Sequence, residues 1–304
     1  MYWLKNKIAI KLTLGLLLIV YSHFGRKNVS VAANTNLEKN IAHNAADVKK
    51  YQQIFEYAQN NNLTKASIGT IVQAVAEQFL GAEYQAGLLD KSTQESLVIS
   101  LQQFDCLLFV ETVLAIADNI ARNKNNYQGF TNKVEEQRYW NGKMNGYCSR
   151  LHYFSDWIVD NEVRGNVKNI TAKLGGISTI KKLNFMTTHR SSYPILAKSD
   201  RSFECIARVE DSLSTTFNYI PTNQIDRVYD RLQPGDIIGV ATNIPGLDFT
   251  HTGFVYQQAN GDMGFIHASP AGKVTIAKDL QEYISNVDNA IGIVVSRANE
   301  PKLR

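Results

Sequence analysis

The sequence has 304 residues, 44% of them hydrophobic, with 32 Lys and Arg against 28 Asp and Glu, a net of +4 with neutral histidines. Five basic residues and no acidic one fall in the first 33 positions; 32 minus five leaves 27 against 28, so the remainder carries −1 and has no basic field to attract nucleic acid. The composition excludes a disordered chain, and the 271 residues after position 33 (304 minus 33) are enough to remove roughly 70–75% of the unfolded surface from water.

Residues 1–33 read as a signal peptide. Lys5, Lys7 and Lys11 precede a mostly apolar run from Leu12 to Val20, and Ser30-Val31-Ala32-Ala33 offers small residues for cleavage. The run is shorter than the roughly 20 residues that span a bilayer. No cysteine lies nearby to carry a lipid. The competing reading is an uncleaved anchor helix. The expectation is an exported protein, periplasmic or extracellular, with no stable membrane insertion once the leader is removed. Residues 34–46 are polar and are expected to form a flexible lead-in to one domain spanning 47–304.

Asp47–Gln59 and Lys65–Leu80 read as helices; in the second, Ile68, Ile71, Val72, Val75 and Phe79 recur at spacings of three and four, and Gly81 marks a stop. Cys106–Arg122 is the strongest helix pattern, apolar around most of its first turns and so expected to be buried. Asp105 is a fitting N-cap, which puts Cys106 at the first helical position. Residues 123–200 show no clear periodicity and suggest binding loops. Phe203–Ser214 reads as a helix or mixed segment. The last third reads as strands: Asp236–Ala241, Thr250–Gln257, Met263–Ser269 and Ala290–Ser296. Helices followed by an antiparallel sheet make an α+β arrangement.

Three cysteines are present: Cys106, Cys148 and Cys205. An odd number in an exported chain leaves at least one unpaired, and pairing of Cys148 with Cys205 would free Cys106. At a helix start, backbone N–H groups favour a thiolate and can hold an oxyanion. If Ala259-Asn260-Gly261 forms a three-residue hairpin loop, Gln258 opposes Asp262, Gly253 opposes His267, and His251 lies diagonal to His267. A register shifted by two sets the histidines directly opposite. Either way both rings share one face, as a base and its orienting partner require. Zinc held by the two histidines, with Asp248 or Cys106 as third ligand, is the alternative; no HExxH or paired CxxC pattern accompanies it, and no metal or cofactor is expected.

FDCLLFVET (104–112) resembles the nucleophile motif of the DUF1460 branch of the NlpC/P60 superfamily. SRLHYFSDWIVDN (149–161), GLDFTHTGFV (246–255), FIHAS (265–269) and the upstream Gly81-Ala82-Glu83-Tyr84 are similar to further family segments in the same order. The resemblance covers about residues 70–298. It implies a papain-like α+β fold with the cysteine-bearing helix on an antiparallel sheet, and a Cys106, His251 and His267 site. It also implies N-acetylmuramoyl-L-alanine amidase activity on peptidoglycan or muropeptides. The alternatives are cleavage within the stem peptide, as in other NlpC/P60 branches, or a non-catalytic wall-binding module. Tyr84, Asp105, Arg150, His152 and Tyr153 are candidate substrate-binding residues, the guanidinium because it can grip a carboxylate with two bonds. Leu108 stands where the family commonly has threonine. His189 matches another segment but suggests no chemistry.

Overall fold

The computed structural model describes residues 44–92 and 94–301, so the expected signal peptide and residues 34–43 of the expected lead-in lie outside the described residues. Asn44 caps helix α1 (Ala45–Asn60), which therefore starts two residues before its expected position. Ser67 caps α2 (Ile68–Glu77), and Gly81 takes the left-handed conformation beyond it. Two short parallel strands, β1 (Glu83–Tyr84) and β2 (Gln103–Phe104), lead into α3 (Cys106–Ala121). Among the described residues no helix is long and apolar enough to cross a membrane.

The stretch without periodicity is ordered. It holds α4 (Tyr127–Arg138), α5 (Phe154–Val163), β3 (Val167–Asn169), β4 (Ile177–Lys182), α6 (Phe185–Thr188) and α7 (Pro194–Lys198). Helix α8 (Asp200–Ser212) follows, and Cys205 on it bonds to Cys148. The remaining elements are β5 (Ser214–Pro221), β6 (Ile237–Thr242), β7 (Phe249–Gln257), β8 (Met263–Ala268), β9 (Val274–Ala277), α9 (Leu280–Ser285) and β10 (Ala290–Ala298). The strands form an antiparallel sheet ordered β4-β5-β10-β6-β7-β8-β9, with β3 also pairing with β10.

The sheet is covered on both faces. Phe254 and Ile266 pack with α1–α3 in one cluster, whereas Val255 and Phe265 pack with Leu280 and Ile284 of α9 in another. Alternate residues of β7 and β8 thus serve opposite cores, which is why these strands read as continuously apolar. A chain of edge-on aromatic contacts, Phe79–Phe104–Phe109–Phe254, ties the turn after α2 and β2 through α3 to β7. All four rings are fully buried, each contributing roughly 1.5–3 kcal/mol.

Candidate active site

Asp105 is the N-cap of α3, its carboxylate accepting the Leu108 N–H at 2.8 Å. Cys106 is therefore the first helical residue, as its sequence position indicated. Farther along the helix, the buried Glu111 carboxylate accepts from Arg138 Nε at 2.7 Å and from Trp157 Nε1 at 3.2 Å. Arg138 also donates to the Val98 carbonyl. The nucleophile candidate thus sits on a helix fixed by apolar packing on one side and by a buried ion pair on another.

Strands β7 and β8 follow the three-residue-loop register, with Phe254 opposite Ile266 and Gln257 opposite Met263. Gly261 is left-handed at φ +91°. His251 Nε2 and His267 Nδ1 lie 2.7 Å apart, their rings nearly perpendicular at 85°. Gly253 permits this approach: a Cβ there would stand 2.8 Å from His267 Cβ, 2.7 Å from the Ile266 carbonyl oxygen and 2.7 Å from the Phe265 ring. With Nε2 of His251 taken, Nδ1 is the nitrogen left to face a thiol. Burial drives both rings toward the neutral form, His251 to about 4 and His267, which His251 also repels, to about 3.

The β7–β8 ladder stops at Phe254 and Ile266. Beyond it, the amide of Thr252, next to His251, is directed at the Cys106 sulfur, as are the amides of Leu107 and Cys106 itself. The expected lowering of the thiol pKa by the helix start does not prevail. Burial, reinforced by Asp105, outweighs the amides and pushes Cys106 up to about 12. At rest Cys106 is a half-buried neutral thiol, and His251, next in sequence to the Thr252 amide that meets it, is a neutral imidazole. The thiol can form an ion pair only by handing its proton to an adjacent base.

Two tyrosines lie within electrostatic reach of this thiol. Tyr84 is held by the pairing of β1 with β2, which ends at Phe104, and by its own amide donating to the Gly272 carbonyl. Burial, and then Cys106 and Asp105, raise its pKa. Tyr283 of α9 was not singled out from the sequence. It packs on His267 with ring centres 4.5 Å apart, and burial followed by the influence of Cys106 pushes it up to about 12.

Other candidates are engaged elsewhere. Arg150 is buried, donating to Asp90 at 2.8 Å and to the Leu89 carbonyl, so its fork is not free for a substrate carboxylate. His152 Nε2 lies 2.9 Å from the Tyr147 carbonyl, and burial lowers it to about 3. The buried Tyr153 hydroxyl donates to Glu210 at 2.6 Å. These three cross-link the interior around the disulfide, and Asp105 spends its carboxylate on the cap. Asp248, the possible third zinc ligand, accepts from the amide and hydroxyl of Ser155 instead. Among the described residues no three His, Cys, Asp or Glu side chains are grouped to hold a metal ion. Leu108 is buried in the main cluster, and His189 stacks on Phe185 at 4.0 Å.

The family model AmiA-like, described as N-acetylmuramoyl-L-alanine amidase-like, matches residues 74–293. Among solved structures, an N-acetylmuramoyl-L-alanine amidase from Bacteroides uniformis is similar at 29% identity and a TM-score of 0.72, over 76% of this chain and 99% of that one. A Bacteroides fragilis protein provisionally described as a xylanase aligns at 31% identity and 0.66, over 74% and 99%. A Legionella pneumophila protein of the DUF1460 family model shares the fold at 21% identity and 0.62, over 84% and 97%. No curated protein matches the chain.

Proposed function

The chain belongs to the AmiA-like, N-acetylmuramoyl-L-alanine amidase-like family, and from that premise we propose a cysteine amidase of the NlpC/P60, papain-like type. Its substrate is peptidoglycan or soluble muropeptides, and the bond cut is the amide between the lactyl group of the sugar and L-alanine. The basic, apolar and small-residue pattern of positions 1–33 supports export to the periplasm or beyond. The observation that carries the reading is the 2.7 Å contact between His251 and His267 beside a capped helix start bearing Cys106.

His251 Nδ1 takes the Cys106 proton as sulfur attacks the amide carbonyl carbon. His267 Nδ1 accepts the His251 Nε2–H and holds the imidazolium in place. The oxyanion faces the Cys106 amide, with Tyr84 as a second donor. The C–N bond breaks, the leaving amine takes the proton from His251, and a thioester remains. Water then gives a proton to His251 and its oxygen to the carbonyl. The C–S bond breaks, the acid leaves, and the thiol is restored.

A glycosidase needs two carboxylates facing across the scissile bond. Here Asp105 is committed to a helix cap, Glu111 to Arg138 and Asp90 to Arg150, while the two histidines bond to each other, so the amidase reading is favoured. Mass spectrometry of products from defined muropeptides tests it. The expected products are a lactyl-bearing sugar and a peptide beginning with L-alanine, both absent with Cys106→Ala. Cleavage within the stem peptide would move the assignment to an endopeptidase. Unchanged turnover by Cys106→Ala would end the cysteine mechanism.

A further inference from the structure

His267 depends on packing for its orientation. Among the described residues the one hydrogen bond of its ring is the 2.7 Å contact of Nδ1 with His251, and a ring held by a single bond can pivot about it. A carboxylate or amide in that role would bring more oxygen lone pairs or N–H groups with which to anchor itself. What surrounds the imidazole is aromatic. Phe265 stacks on it at 4.8 Å and 17°, and Tyr283 meets it at 4.5 Å and 55°. Those two rings also touch each other at 5.2 Å, so His267 sits in the angle between them.

We propose that Tyr283 is a positioning residue of this site, its ring fixing His267 so that Nδ1 stays on His251 Nε2. Tyr283 acts through His267, and the inference rests on the Cys-His-His reading above. Its own placement is firm. Leu280 and Ile284, on either side of it in α9, are fully buried against the sheet. Asp279 caps the helix by accepting the Glu282 N–H at 2.7 Å and is itself bonded by the Tyr229 hydroxyl. The Tyr283 ring reaches from this anchor to both imidazoles, 4.5 Å from His267 and 6.3 Å from His251. A ring contributed from outside the hairpin thereby limits the pivot that the hairpin leaves open.

The test compares Tyr283→Phe, Tyr283→Leu and Tyr283→Met by muropeptide turnover and by the rate of Cys106 alkylation with iodoacetamide at neutral pH. Alkylation reports thiol activation without needing a substrate. Tyr283→Phe keeps the ring and is expected within about twofold of the parent, whereas Leu and Met lower kcat and alkylation roughly ten- to hundredfold with KM nearly unchanged. Thermal melts identify which variants fold, and either ring-less variant that folds is sufficient. In a His267→Asn background, where no imidazole remains to be held, Tyr283→Leu is expected to add less than about twofold, the sign of coupled residues. Parent-like kcat and alkylation in a folded ring-less variant, or full multiplication of the loss in the His267→Asn background, would overturn the inference. If neither ring-less variant folds, Tyr283 is a core residue and the inference is also overturned. Cys106→Ala and His251→Ala run alongside: activity in those would remove the site reading itself, whereas their inactivity beside an unaffected Tyr283→Leu would remove only the role of Tyr283.

Discussion

Gly253→Ala should disable the site without touching a reactive group. The added methyl would stand 2.7 Å from the Ile266 carbonyl oxygen, 2.7 Å from the Phe265 ring and 2.8 Å from His267 Cβ. Relief to ordinary contact, about 3.5 Å, asks for roughly 0.8 Å of movement. Strand β7 cannot swing freely, because β6 and β8 hold it on both sides, so the movement falls partly on His267. Opening its 2.7 Å bond to His251 by that amount takes it to about 3.5 Å, the outer edge of a hydrogen bond. Overpacking of this kind costs about 1–3 kcal/mol, and misplacing a catalytic group by about 1 Å costs on the order of a hundredfold in rate. Urea denaturation and muropeptide kinetics measure the two effects. Gly261→Ala is the control: it has open space around it at φ +91°, so it should cost about 1 kcal/mol of strain and leave kcat intact. Parent-like kcat in Gly253→Ala, at normal thiol labelling, would refute the close-approach reasoning.

His251→Ala should abolish turnover, while His267→Asn leaves a measurable remnant, since an amide oxygen still accepts the ring N–H; kinetics showing the reverse order would exchange their roles. Stability should be undiminished above about pH 6.5, where unfolded histidines are neutral, and fall as pH drops toward 4, because the unfolded chain then binds protons that His251 and His267 do not; His251 alone accounts for about 3 kcal/mol, and His267→Asn should flatten that slope in denaturation across pH. Glu111→Gln strips Arg138 of its buried counter-charge and should destabilise by about 3–5 kcal/mol in the same assay. EDTA should leave the rate unchanged; loss restored by zinc would replace the thiol mechanism with a metal one.

The cap of α3 and the shared face of the two histidines were legible because both are local, whereas the choice between the two hairpin registers was not. Asp105 needs only the next three residues, and side chains two apart on a strand share a face in either register; the structure selects the one with the three-residue loop at Ala259-Asn260-Gly261. Strands β4, β5 and β9 were not legible. β4 has its two isoleucines three residues apart, at 177 and 180, and leaves both exposed, so its pattern carries neither a strand period nor a burial signal. β9 is four residues long. Arg150 looked available because its partner Asp90 lies far away in sequence. Tyr283 escaped notice for the same reason: a six-residue helix shows little period, and the ring matters only for what it meets on β8. The helix-start rule for Cys106 gave the wrong direction because it counts backbone dipoles and not desolvation.

The early end of the β7–β8 ladder has a consequence for the order of events in a growing chain. Where the strands would otherwise continue as partners, the Thr252 amide meets a sulfur that was synthesised long before it. Until the last third of the polypeptide emerges, Cys106 has neither that amide nor an imidazole to accept its proton. On the proposed mechanism the nascent molecule therefore carries an idle thiol through synthesis, and hydrolytic competence arrives with the closing of the sheet.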